Sequence, residues 1–212
     1  MARLDQVAPP SLPLSKAEYT AFDGNQYSNV LRLFFTRLLG SFNTLVGSIG
    51  GQFLEFPYGM FSSDANQTTT GANTPTLVAI NTEDYAVGMY HDVGDGVHVE
   101  QSGMYNFQFS IQLENLDTGV HDVDIWLKKN GSNLAATGSR YSVPSKHGSV
   151  HGHLIAVANF YVSLNAGDYI ELWWAAASTQ VQLEAYTASA SPYSRPAIPS
   201  AVVTLSFVSG IG

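Results

Sequence analysis

There is no cysteine in the 212 residues, which excludes disulfides and thiolate metal sites. Charge is scarce as well: Asp, Glu, Lys and Arg make up 12%, about half the share usual for a soluble domain. A surface this poor in charge is expected to be partly covered by neighbours in an assembly. The net charge of −8 excludes the basic footprint of a nucleic-acid-binding protein. No apolar run approaches the roughly 20 residues needed to cross a bilayer. No basic amphipathic helix suggests membrane association. The opening MARLDQVAPPSLPLS is broken by Pro9, Pro10 and Pro13 and lacks the apolar core of a signal peptide. The expectation is a chain made in a cytoplasm and released, where it acts outside a cell, by lysis.

Signatures of catalysis are missing too. There is no Gly-x-Ser-x-Gly elbow, no phosphate-binding loop and no dinucleotide fingerprint. The acidic turn HDVGDG and the pair Asp122/Asp124 lack the spacing of a calcium loop, and turn chemistry accounts for the first. His147, His151 and His153 in SKHGSVHGH, with His121, offer the best metal ligands, but no carboxylate stands near them in sequence. Solvated loop histidines are the favoured reading. The expectation is therefore no catalytic residue, no cofactor, no metal and no enzyme.

What the chain does contain falls into two parts. Residues 1–51 hold a proline-punctuated arm and one helix-forming stretch, QYSNVLRLFFTRLLGSFNTLVG, over 26–47. Leu31, Phe35, Leu38, Phe42 and Leu45 follow a 4-3-4-3 spacing, a seam of about two heptads suited to docking. Ser28 or Asn29 is expected to cap its start. Gly47, Gly50 and Gly51 are expected to end it and act as a hinge. The first 50 residues carry about +1 net charge and the rest about −9, which suggests separate roles.

Beyond residue 51 the period changes to two. In GMYNFQFSIQLEN (103–115), Tyr105, Phe107, Phe109, Ile111 and Leu113 alternate with Asn106, Gln108, Ser110, Gln112 and Glu114. Successive strand residues point to opposite faces, so the first set is expected in a core. The second set is mostly uncharged amides and hydroxyls, which suit a subunit contact because burying hydrogen-bonded amides costs less than burying ions. Counting this one at 104–114, strands are expected at 52–56, 76–81, 85–90, 97–100, 104–114, 123–129, 134–143, 153–164, 168–174, 181–188 and 201–207. Turn signals such as Asn130-Gly131 and Asn165-Ala166-Gly167-Asp168 separate them. This spacing predicts an all-β antiparallel sandwich of about ten strands over residues 52–212. In DYIELWW, Trp173 and Trp174 face opposite ways, so one belongs to a core and the other to an outer face or interface.

Two of these stretches carry a resemblance. Gly-x-Tyr-x-Phe-x-Phe-Ser from Gly103 and Leu-Asn-Ala-Gly-Asp-Tyr-Ile-Glu-Leu-Trp from Leu164 resemble motifs of the C1q and tumour-necrosis-factor-like jelly rolls. That implies a ten-strand jelly roll assembling as a homotrimer. The whole chain, through QYSNVLRLFFTRLLGSFNTL, FLEFPYGMF, NFQFSIQLENLDTGVHDVDIWLKKNGSNLAATGSR, NFYVSLNAGDYIELWW and SRPAIPSAVVTLSFVS, is similar to bacteriophage virion proteins. That resemblance implies a structural, non-enzymatic role in the virion, after synthesis in the host cytoplasm. The expected function is capsid decoration by a homotrimer whose arm and helix dock onto the major capsid protein or another virion protein. Leu31, Phe35, Leu38, Phe42 and Leu45 would serve docking, and Gln108, Gln112 and Trp173 the trimer. The alternative is a tail or fibre component that binds a host surface glycan through loops 62–75, 115–121 and 144–152. No nucleic acid and no membrane partner is expected.

Overall fold

The computed structural model describes residues 10–12, 18, 20–46, 56–92, 94 and 96–210. The chain divides into two compact units, Met1–Glu55 and Phe56–Gly212. The expected boundary at 51/52, the glycine hinge and most of the proline-rich arm fall outside the described residues.

The first unit contains helix α1, Ala21–Val46. It starts earlier than the hydrophobic seam suggested. Thr20 is the cap: its N–H and its Oγ1 donate to Asp23 Oδ2 at 3.0 and 2.7 Å, while its Oγ1 accepts from the Asp23 N–H at 3.3 Å. This reciprocal arrangement satisfies the end of the helix and draws its start forward to Ala21. Ser28 and Asn29, expected as caps, lie inside the helix. Of the seam, Phe35, Leu38 and Phe42 are exposed and Leu31 and Leu45 half-buried.

The second unit is an antiparallel jelly-roll β-sandwich. Its strands are β1 (Tyr58–Ser63), β2 (Gln67–Thr68), β3 (Thr76–Leu77), β4 (Thr82–Val87), β5 (Met89–Asp92), β6 (Gly96–Val99), β7 (Gly103–Asn115), β8 (His121–Lys129), β9 (Ser132–Asn133), β10 (Ser139–Val143), β11 (Gly152–Leu164), β12 (Tyr169–Ala176), β13 (Val181–Leu183) and β14 (Ala201–Ser209). One sheet runs β4–β1–β14–β7–β11, with β2 and β13 continuing the β1 and β14 positions. The other runs β10–β8–β12–β6–β5, with β9 beside β8 and β3 beside β12.

The period-two reading of β7 holds. Tyr105, Phe107, Ile111 and Leu113 are at most 1% exposed and Phe109 4%. They meet Val123, Ile125, Leu127, Leu172 and Trp174 of the facing sheet in one core. Each such side chain contributes about 1.5–3 kcal/mol before chain entropy is counted.

Several expected strands are cut short by turn chemistry. The stretch 85–90 is broken at Gly88, whose φ of +65° ends β4 in one sheet and starts β5 in the other. Of 134–143 only β10 pairs. Ala136 takes φ +63°, and Thr137 Oγ1 donates to the Leu134 carbonyl while accepting from the Leu127 N–H. Strand 76–81 shortens to β3 and strand 181–188 to β13. The strand expected at 52–56 falls almost wholly outside the described residues.

Candidate functional site

The register of β7 assembles an outer surface. His153, Ile155, Val157, Asn159 and Tyr161 of β11 lie opposite Glu114, Gln112, Ser110, Gln108 and Asn106. On the other flank Gln182 of β13 stands opposite Glu114, and Val202, Thr204 and Ser206 of β14 opposite Ser110, Gln108 and Asn106. From Ile155 to Tyr161 this surface carries no Asp, Glu, Lys or Arg. Ile155 and Val157 are each 57% exposed and Tyr161 68%. Gln108, Ser110, Val157, Asn159, Val202 and Thr204 line a shallow depression in its middle, about 410 Å³ in volume.

The opposite outer face is built differently. Asp122, Asp124, Trp126 and Lys128 of β8 stand beside Glu171 and Trp173 of β12. Arg140 grips both oxygens of Asp124 at 2.7 Å, and this holds the Asp124 carboxyl below its usual range. The Lys128 ammonium sits 3.4 Å from the centre of the Trp173 ring. Here Arg140 pairs with Asp124, the Ser142 hydroxyl donates to Asp122, and Glu171 is buried with its Oε2 lacking a hydrogen-bond partner.

Gln108 and Gln112 therefore share one face, whereas Trp173 lies on the other sheet, beneath Lys128. Alternation within DYIELWW separates the tryptophans properly but does not tell which sheet the strand joins. On the face of Gln108 and Gln112 the exposed apolar side chains are Ile155, Val157 and Tyr161, which sequence reasoning did not single out. Their signal was present in HLIAVANFYVSL, which is apolar on both faces, a pattern of strands covered on both sides.

At one end of the uncharged face stands an ionisable cluster. The Glu114 carboxylate is buried, with 4% of its side chain exposed. Its Oε1 lies 2.5 Å from His151 Nδ1 and its Oε2 accepts from Gln182 Nε2 at 2.6 Å. Burial pushes the Glu114 carboxyl up, but these hydrogen bonds and the two imidazoles outweigh it and hold the group below the usual carboxylate range. Next to it, His153 Nδ1 lies 3.7 Å from Glu184 Oε2. Tyr186 donates its hydroxyl proton to the same oxygen, and burial together with Glu184 pushes the phenol up. The Glu114, His153 and Glu184 ligand atoms lie within 4.8 Å of one another. His147 is elsewhere, in a turn where it bridges to Val150. The three-imidazole set is thus replaced by a histidine–carboxylate set. Its carboxylates come from β7 and from the segment just after β13, both distant in sequence, which is why no sequence window showed them.

The loops weighed for glycan binding are partly ordered by their own bonds. Loop 115–121 is tied by Asn115 Oδ1 accepting the Asp117 N–H and by a 2.7 Å contact between His121 and Asp117, which lowers the Asp117 carboxyl. In the stretch 62–75, Gln67 Oε1 accepts from the Ala79 N–H and Asn81 Nδ2 donates to Asp64.

No family model and no curated protein matches this chain. Solved structures similar to it include the following two. Murine APRIL, crystallised at pH 5.0, shares 14% identity over 73% of this chain and 100% of its own, with a TM-score of 0.47. The globular domain of zebrafish complement 1qA shares 14% identity over 74% of this chain and 100% of its own, with a TM-score of 0.41. Among the described residues no helix is long and apolar enough to cross a membrane.

Proposed function

We propose that this protein is a non-enzymatic structural component of a bacteriophage virion, a homotrimeric capsid decoration protein. The jelly roll associates through the β11–β7–β14 face, and the N-terminal arm and helix dock onto the capsid protein or another virion protein. The observation that carries the association is the contrast between the two outer faces. One carries Asp122, Asp124, Arg140, Lys128 and Glu171, with Arg140 paired to Asp124 and Lys128 over Trp173. The other exposes Ile155, Val157 and Tyr161 among uncharged amides and hydroxyls, at little desolvation cost. The virion assignment is supported by the resemblance of five stretches along the whole chain to phage virion proteins. The exposed seam of Phe35, Leu38 and Phe42 supports the docking role of the helix.

The test is the mass of the purified full-length protein by light scattering behind a sizing column, followed by mixing with undecorated capsids. The expected species has three times the 22.8 kDa chain mass and sediments with the capsids. A clean monomer would remove the trimer, and a trimer that ignores capsids would remove the decoration role.

One observation favours the second reading, glycan binding on a tail or fibre. Trp126, Asn73, Asp122, Asp124 and Arg140 line a cleft of about 340 Å³. An aromatic ring beside carboxylates and an amide suits a sugar. Retention on a glycan array, lost in Trp126→Ala, would favour that reading.

A further inference from the structure

We propose that Glu114, His153 and Glu184 form a binding site for a zinc-class divalent transition metal, one per chain. The three residues lie far apart in sequence and are brought together by pairing. Glu114 and His153 are direct register partners across β7 and β11. Gln182 is the register partner of Glu114 on its other side, and Glu184 follows two residues later on the same chain segment. The Glu184 N–H donates to the Gln112 carbonyl, which holds this segment against β7.

The spacing suits an ion rather than direct bonds. His153 Nδ1 and Glu184 Oε2, at 3.7 Å, are too far apart for a hydrogen bond. Ligands held at about 2.0–2.1 Å in a tetrahedron around zinc stand roughly 3.4 Å from each other. Three donor atoms within 4.8 Å of one another therefore need only small side-chain adjustments to enclose such an ion. Glu114 and Glu184 bring negative charge, and His153 brings a nitrogen donor. Mixed imidazole and carboxylate donors favour zinc over calcium or magnesium, which take all-oxygen shells.

A supporting shell is present. His151 and Gln182 each hold one oxygen of Glu114, and Tyr186 holds the Glu184 oxygen nearest His153. Each carboxylate oxygen keeps a second lone pair for a metal. Partners of this kind fix ligand orientation in metal sites. The bound ion would tie together β7, β11 and the segment after β13 at one end of the uncharged face. This inference does not rest on the virion assignment.

The test uses the full-length protein stripped with a chelator and titrated with zinc chloride. Binding is followed by calorimetry and thermal melting, with calcium chloride as a parallel arm. The expected result is saturable binding of one zinc per chain. The melting temperature should rise by about 5–10 °C when zinc is a hundredfold above its Kd. Calcium should give no comparable shift. His153→Ala and Glu184→Gln, at positions with exposed or half-buried side chains, should abolish that binding without loss of fold by circular dichroism. Tyr186→Phe should weaken it by about tenfold. A double variant His121→Ala/His147→Ala should bind as the parent does. Absence of saturable zinc binding, or binding unchanged in both His153→Ala and Glu184→Gln, would overturn the site.

Discussion

Phe207 lies directly over Gly103: a Cβ added at Gly103 would stand 2.4 Å from ring carbon Cε2 and 2.9 Å from the Ser209 carbonyl oxygen. The same ring meets Tyr105 edge-on at 5.7 Å and stacks on Phe56 at 5.8 Å. Tyr105 in turn donates its hydroxyl to the Gln101 carbonyl at 2.7 Å. The Gly-x-Tyr pattern therefore has a packing cause, an aromatic ring filling the space a side chain would take at the start of β7. Gly103→Ala is expected to destabilise the second unit by about 1–3 kcal/mol through overpacking. Urea denaturation should show a lower midpoint at unchanged slope.

The adjacent tryptophans should respond very differently. Trp174 is fully buried among the core residues, whereas Trp173 lies half-buried on the other face of β12, under Lys128 and between Trp126 and Leu77 in register. Trp174→Ala should cost about 3–5 kcal/mol, the range for emptying a large core position. Trp173→Ala should cost less, about 1–2 kcal/mol, since that indole is only half-buried and loses one cation–π contact with its packing. Equal losses measured by chemical denaturation would contradict the assignment of faces.

Asp168 links the fold to pH. It accepts the Asn165 N–H and the Asn130 amide, each at 2.7 Å, and pairs with the Lys129 ammonium at 2.7 Å. Burial pushes the carboxyl up, but these partners outweigh it and set it at about 2, below its ordinary 3.8. A carboxyl whose folded value is depressed adds stability above its unfolded value, and that stability is lost as pH falls toward the folded value. Asp168→Asn should therefore destabilise the protein by about 1–3 kcal/mol near neutrality. The gap between parent and variant should narrow between about pH 4 and pH 2 in denaturation curves.

Much of this architecture was readable where a local pattern decides the outcome. The alternation in GMYNFQFSIQLEN set the core face of β7. The Asn130-Gly131 turn, with both residues at positive φ, joins β8 to β9 as expected. What stayed hidden depends on contacts distant in sequence. The start of α1 was misjudged because the Thr20–Asp23 cap precedes the hydrophobic seam. Gly88 looked like a strand residue because its neighbours are apolar on both sides. The chain's assignment of β12 to one sheet and β7 to the other separates Trp173 from Gln108, and no local period encodes that. Glu114 and Glu184 stand 39 and 31 residues from His153 in the sequence and meet it only through strand pairing.

A charge placed in the middle of the uncharged face distinguishes association through it from an ordinary solvated sheet. Val157 is exposed, pairs with Ser110 of β7 and lies against the central depression. On a free sheet, Val157→Arg would be tolerated, since surface substitutions usually change stability by about 0.5 kcal/mol or less. In a threefold assembly the same change buries an unpaired guanidinium at every subunit contact, each costing several kcal/mol. The expected outcome is a folded monomer at 22.8 kDa by light scattering, with core packing retained by near-ultraviolet circular dichroism. Trp126→Ala on the opposite face should leave the parent's mass unchanged. Dissociation by both variants would place the contact elsewhere. Dissociation by neither would return the amides of GMYNFQFSIQLEN to solvent.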